Sequence, residues 1–264
     1  MSSAPVPTDQ NSHRRNWGVV IYGLASTGLG VIGLVRGDFT MVWHPVPDAL
    51  HGQAWLAYAC AALFTLAGLG VFPRRPVPGA AAILCALYLL FAMSWLRRVV
   101  GFPLLIGTWL GFAEQVVLAL GAMATLLIAR KSTGAAISVC RIAFGLCELV
   151  FGLSHFLSLA ETVAMTPEWL PLGQTFWALA TGAVHLLGGG TLIVGIRPDL
   201  AARVLSAMFV LFGAFVWAPQ LIANPMAAFP WAGTAINFAM VGAVWALADL
   251  LTSRDRRHPL GPVY

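Results

Sequence analysis

Eight times in succession this chain presents a run of about 20 mostly apolar residues, the length an α-helix needs to cross the hydrocarbon core of a bilayer. The runs fall at 17–35, 55–72, 79–96, 110–128, 137–159, 176–196, 200–221 and 234–251. Inside lipid the backbone finds no water, so each run must satisfy its own N–H and C=O groups as a helix. Strands of a membrane barrel are excluded, because they would be short and would alternate polar with apolar residues. The expected fold class is therefore all-α, a polytopic membrane protein with about eight transmembrane helices. Composition agrees: 59% of residues are hydrophobic and 9% charged, against roughly 25% charged in a soluble domain. Water would not tolerate that much apolar surface, but a bilayer lets the outside of a fold be as apolar as its inside.

The cations lie between the runs and set the topology. With the N-terminus in the cytoplasm, twelve of the fifteen Lys and Arg residues fall on the cytoplasmic side: Arg14, Arg15, Arg74, Arg75, Arg130, Lys131, Arg141, Arg197, Arg203, Arg254, Arg256 and Arg257. Arg36, Arg97 and Arg98 fall on the other side. This bias places both termini in the cytoplasm and makes the number of spans even. Arg97 and Arg98 are the misfit. Glu114 opens the fourth run nearby, and a structural ion pair of Glu114 with Arg97 or Arg98 is expected. The net charge of +5 does not point to nucleic acid, because the cations form no stripe along a polar face. Residues 1–14 read as a disordered tail and 254–264 as a cytoplasmic tail. The first run is too long for the h-region of a cleaved signal, about 7–15 residues, and is read as a retained span. Cys60, Cys85, Cys140 and Cys147 each sit within an apolar run with no Cys-x-x-Cys spacing, and read as small buried hydrophobes.

Sliding the chain along itself by 122 residues brings Trp55 onto Trp177, Trp95 onto Trp217 and Trp109 onto Trp231. The same shift brings Pro45, Pro76 and Pro103 onto Pro167, Pro198 and Pro225, and Gly23, Gly30, Gly68 and Gly111 onto Gly145, Gly152, Gly190 and Gly233. Similarity between oily segments would align Leu and Ala, not so many Trp and Pro at one offset. The chain reads as two tandem four-helix units, 15–130 and 137–253, joined by the polar linker Arg130-Lys131-Ser132-Thr133-Gly134. Four spans per unit is an even number, so the second unit enters the membrane in the same sense as the first. The two are related by an axis near the membrane normal.

The second unit resembles the DoxX-like family of four-helix membrane proteins. The residues that carry the resemblance are Gly145 with Gly152, Thr166-Pro167-Glu168-Trp169-Leu170-Pro171, Trp177, Thr181-Gly182, His185-Leu186-Leu187-Gly188-Gly189-Gly190, and Arg197 with Leu200-Ala201-Ala202. The first unit is a more diverged version of the same pattern. The resemblance implies a multi-pass protein of the bacterial inner membrane. It further implies an accessory or scaffold component, with an oxidoreductase subunit of a membrane redox complex as partner. It carries no catalytic motif to these residues. The alternatives are a small transporter and a membrane enzyme or quinone-binding protein.

Ionisable side chains within a span are functional candidates by default. Glu148 and His155 stand seven residues apart, two helical turns, and so face the same way. His185 lies within the next span. The matching positions in the first unit are Ser26, Gly33 and Leu63, which leaves this polar set to the second unit. Three readings stay open. The set could line a pocket for a polar head group such as a quinone, where imidazole donates and carboxylate exchanges protons. It could ligate a metal or haem, although the spacing matches no signature. It could be hydrogen-bonded glue between helices. His44, Asp48 and His51 read as residues of a watery outer loop, and Asp249 as solvated. No nucleotide-binding loop or Rossmann fingerprint is present.

Overall fold

The computed structural model describes residues 16–39, 43–50, 52–73 and 75–257, the last four of these by backbone alone. The tails at 1–14 and beyond 257, and the residues Arg14, Arg15, His51 and Arg74, lie outside the described residues. The protein is an all-α polytopic membrane protein. Among the described residues, eight helical segments are long and apolar enough to cross a membrane.

In chain order the helices are α1 Trp17–Arg36, α2 Ala54–Val71, α3 Pro78–Gly101, α4 Ile106–Ala129 and α5 Ala135–Leu157. A short α6, Leu159–Met165, leads to α7 Gln174–Val194. The seventh span is composite: α8 Pro198–Phe212, a π-helical turn Gly213–Trp217, and α9 Ala218–Ala223. The last helix is α10, Ala228–Arg257. Prolines open α3 and α8, where a missing N–H costs nothing. Pro219 lies inside the seventh span, and the wide turn just before it absorbs the hydrogen bond that proline cannot make. On the 122-residue shift Pro219 matches Arg97, and α3 accordingly runs without a break.

Contacts between neighbours alternate the helices up and down. Gly23 of α1 meets Gly68 of α2, and Gly30 meets Ala61. Cys140 Sγ of α5 lies 3.8 Å from the Leu120 carbonyl of α4. Ser206 Oγ of α8 donates to the Val241 carbonyl of α10 at 3.0 Å, and Arg203 reaches Asp249 at 3.5 Å. The circuit closes where the first helix packs on the last: Gly18 against Trp245 and Ala246, and Gly242 against the backbone of Tyr22. The start of α1 and the end of the eighth span therefore share one face. Arg36, at the opposite end of α1, donates to the Met226 carbonyl at 2.6 Å.

The two sets of four helices interlock. The heaviest packing of α1 is on α10 and α2, and α4 packs on both α5 and α10. Of the α10 span 72% is buried and of α4 61%, against 28% for α7 and 33% for α2. So α4 and α10 form the centre and α2 and α7 the lipid-facing flanks. Some tryptophans that coincide on the 122-residue shift make like contacts, although Gly68 packs on α1 and its match Gly190 does not pack on α5. Trp109 Nε1 donates to the Pro103 carbonyl at 3.0 Å, and Trp231 Nε1 to the Pro225 carbonyl at 2.8 Å. Trp95 packs on Gly111, and Trp217 on Gly233.

Helices in lipid gain nothing from hydrophobic burial against one another, so backbone approach at small residues holds them together. A Leu at Gly242 would drive into the Tyr22 backbone. Overpacking of this kind costs about 1–3 kcal/mol or more. We expect Gly242→Leu to lower the unfolding midpoint in detergent by several degrees. Gly190→Ala, where nothing lies within 4 Å of the added carbon, should leave it unchanged or slightly raised.

Candidate functional site

The closest crossing of α5 and α7 positions the polar set of the second unit. A side chain at Gly189 would press on the Gly145 carbonyl at 2.7 Å and on the Glu148 Cβ at 3.0 Å. One at Gly182 would meet the His155 Cβ at 2.7 Å. Glycines at these positions let the two backbones approach until short side chains bridge them. His185, midway along α7, then places Nδ1 2.7 Å from Oε2 of Glu148 on α5. Two turns further along α5, His155 Nδ1 lies 2.9 Å from the Ala178 carbonyl and 3.2 Å from Thr181 Oγ1.

A carbonyl only accepts, so the contact with Ala178 requires a proton on His155 Nδ1, and in the neutral ring Nε2 is then the lone pair. One proton lies between His185 and Glu148, whichever atom carries it. The two imidazoles stand 5.5 Å apart, centroid to centroid. Aromatic side chains enclose them. Phe151 and Phe209 lie edge-on to His185 at 5.6 and 5.5 Å, and Phe212 packs on His155 at 6.2 Å. Phe212 immediately precedes the π-helical turn, so the break in the seventh span adjoins His155. Glu148 is fully buried, His185 2% exposed and His155 7%. The second carboxylate oxygen, Glu148 Oε1, is buried with no hydrogen-bond partner.

The three residues singled out in the sequence thus meet at one place. The arrangement can join α5 to α7, can hold and exchange a proton, and can offer a free carboxylate oxygen to a donor. No group of three or more His, Cys, Asp or Glu side chains among the described residues is placed to hold a metal ion. The metal reading therefore has no geometric support.

Other expectations are corrected. Glu114 makes no ion pair with Arg97 or Arg98; among the described residues the acid–base contacts are His185–Glu148 and Arg203–Asp249. The reason is register. Helix α4 begins at Ile106, not at 110, and α3 runs on through Arg98 to Gly101. Glu114 therefore sits about two turns inside the span, while the arginines stay at its end. Asp249 is not freely solvated but pairs with Arg203.

His44 is not in water either. Its ring lies parallel to those of Phe64 and Phe91, with centroids at 5.2 and 3.9 Å and planes within 12°. Burial pushes its imidazole down to about 3, so it is neutral at physiological pH. The first unit also holds buried polar groups of its own. Ser26 Oγ lies 3.2 Å from Tyr88 Oη, and Tyr22 Oη donates to the Leu118 carbonyl at 2.7 Å. Ser26 occupies the position of Glu148, so the polar spot is shared and the charge is not. Tyr88 was legible as the one tyrosine of its apolar run; nothing local to the loop marked His44 as buried.

Compared with protein-family models, curated proteins and solved structures, the chain finds no match.

Removing one partner of a buried charged pair costs about 3–5 kcal/mol, whereas replacing both by apolar groups is often close to neutral. His185→Leu should therefore destabilise the protein strongly, and the double variant Glu148→Leu/His185→Leu should recover most of the loss. Equilibrium unfolding in mixed micelles measures both.

Proposed function

We propose that this protein is a DoxX-like accessory subunit of a redox system in the bacterial inner membrane, binding a quinone-type head group beside the Glu148–His185 pair, on the side of the α5–α7 crossing that faces α8. The observation that carries the reading is the buried Glu148–His185 pair, 2.7 Å long, with Glu148 Oε1 left without a partner. A hydroquinone hydroxyl is a donor of the kind that oxygen lacks. The shared Glu148–His185 proton site can take up or return a proton as the head group changes redox state, while an oxidoreductase partner handles the electrons. The Nε2 lone pair of His155 offers a second acceptor. Phe151, Phe209 and Phe212 supply aromatic faces for a ring.

The tandem duplication supports the architecture in this reading. Matched Trp–Pro and Trp–Gly contacts recur at the 122-residue spacing. Differing chemistry at Ser26 and Glu148 suits one unit specialised for the ligand and one for packing. The charge bias supports a cytoplasmic location for both termini.

A second reading has one observation in its favour. The π-helical turn Gly213–Trp217 interrupts a span beside His155, and interrupted helices next to buried polar groups are a feature of secondary transporters. Proton-coupled uptake into proteoliposomes, abolished by Glu148→Gln, would favour this reading over the first.

The leading reading predicts that protein purified in mild detergent carries extractable quinone approaching one per chain, together with a stoichiometric oxidoreductase. Glu148→Gln and His185→Asn should each reduce the bound quinone about tenfold, the loss of one charge-assisted hydrogen bond. Quinone-free wild-type protein, repeatedly isolated alone, would remove the proposal.

A further inference from the structure

Arg97 and Arg98 remain unexplained by anything above. They sit in the last turns of α3, at the end of the molecule that carries few cations, and no carboxylate among the described residues pairs with them. Their side chains differ in setting. Arg98, but not Arg97, lines a recess of about 380 Å³ formed with Trp95, Phe102, Leu105, Gly107 and Thr108. Its guanidinium carbon lies 4.8 Å from the centroid of the Trp95 ring. The Trp95 indole N–H is buried and has no acceptor. The Thr108 hydroxyl is engaged with the Phe102 and Leu105 carbonyls at 3.2 and 2.8 Å, so it does not answer the charge.

The floor of the recess is the start of α4. Its N-cap, Leu105, makes no side-chain cap hydrogen bond, and nothing lies within 4 Å of where a Cβ on Gly107 would stand. The Leu105 and Thr108 N–H groups are used on the Phe102 and Leu105 carbonyls at 3.1 and 3.0 Å, which leaves the N–H groups of the first turn at Ile106 and Gly107 to add partial positive charge. The rim is apolar and exposed: Leu104 is 99% exposed, Phe102 65% and Leu105 59%. A cation with free N–H donors above an apolar, exposed rim fits an amphiphile with an anionic head. A free inorganic ion would use the donors but not the rim.

We propose that this recess at the α3–α4 turn holds the phosphate of a membrane phospholipid, with Arg98 as its counter-charge. The lipid tails run down over Phe102, Leu104 and Leu105. Placement of Arg98 at this end of the protein, against the charge bias of the rest, follows from the site. Arg98 binds and Arg97 only borders it.

The test uses the full-length protein in neutral detergent, with thermal unfolding read as lipid is titrated in. Phosphatidylglycerol and phosphatidylcholine share the phosphodiester; monooleoylglycerol has a chain but no phosphate; inorganic phosphate has the anion but no chain. We expect both phospholipids to raise the midpoint of the wild type by several degrees, and monooleoylglycerol and inorganic phosphate to leave it unchanged. Arg98→Gln should lose the rise, read against its own lipid-free midpoint, and Arg97→Gln should keep it. A rise from inorganic phosphate that Arg98→Gln abolishes would support phosphate recognition but assign it to the free ion. An equal rise with monooleoylglycerol, or equal loss in both arginine variants, would overturn the proposal. Should Arg98→Gln fail to fold, Arg98→Lys serves: retention of the charge without the planar fork should weaken the rise but not remove it.

Discussion

In a bilayer, one apolar helix has no hydrophobic reason to prefer another helix over lipid. Everything that distinguishes this bundle from eight separate spans therefore rests on how closely its backbones approach. The approach is made at small residues. Gly18 and Gly242 bring the first helix against the last, and so turn a linear succession of hairpins into a closed circuit. Because α1 leans on α10 rather than standing only with its own neighbours in sequence, the two sets of four helices depend on each other. Loosening that contact would release α4 and α10 from the centre, where most of their surface is enclosed.

The same constraint builds the polar site. Gly145 against Gly189 and His155 against Gly182 mark where α5 and α7 come nearest. Only at such a distance can a Glu on one helix and a His on the other share a proton. In hydrocarbon a carboxylate without a partner is severely penalised, and the 2.7 Å contact to His185 removes much of that cost. Packing and chemistry are not separable here. The glycines permit the pair, and the pair fastens the helices that the glycines bring together. One oxygen of Glu148 is left over, without a hydrogen-bond partner.

Much of this was legible in the sequence because hydropathy is a direct record of solvent. The eight spans lie where the apolar runs fall, within a few residues at most ends. Glu148, His155 and His185 were legible as a set from two helical turns on one span and adjacency of the next; which of them would pair was not. The failures have a common origin in register and in loops. Moving the start of α4 from 110 to Ile106 carried Glu114 inward and away from the arginines expected to neutralise it. The burial of His44 depends on Phe64 and Phe91, which are distant in sequence and belong to two different helices. The π-helical turn had one visible cue, Pro219 inside an apolar run, but a proline shows that a helix is disturbed without showing how.

All of it requires that the chain crosses a membrane eight times and returns its last span beside its first. The most direct measurement attaches a reporter to each end of the protein, with a third in the exposed turn at 167–173, and asks in sealed right-side-out vesicles which are open to a membrane-impermeant reagent. The account calls for both end reporters to respond alike and the turn reporter oppositely. End reporters that disagree, or a chain that stays soluble once detergent and membranes are removed, would contradict it.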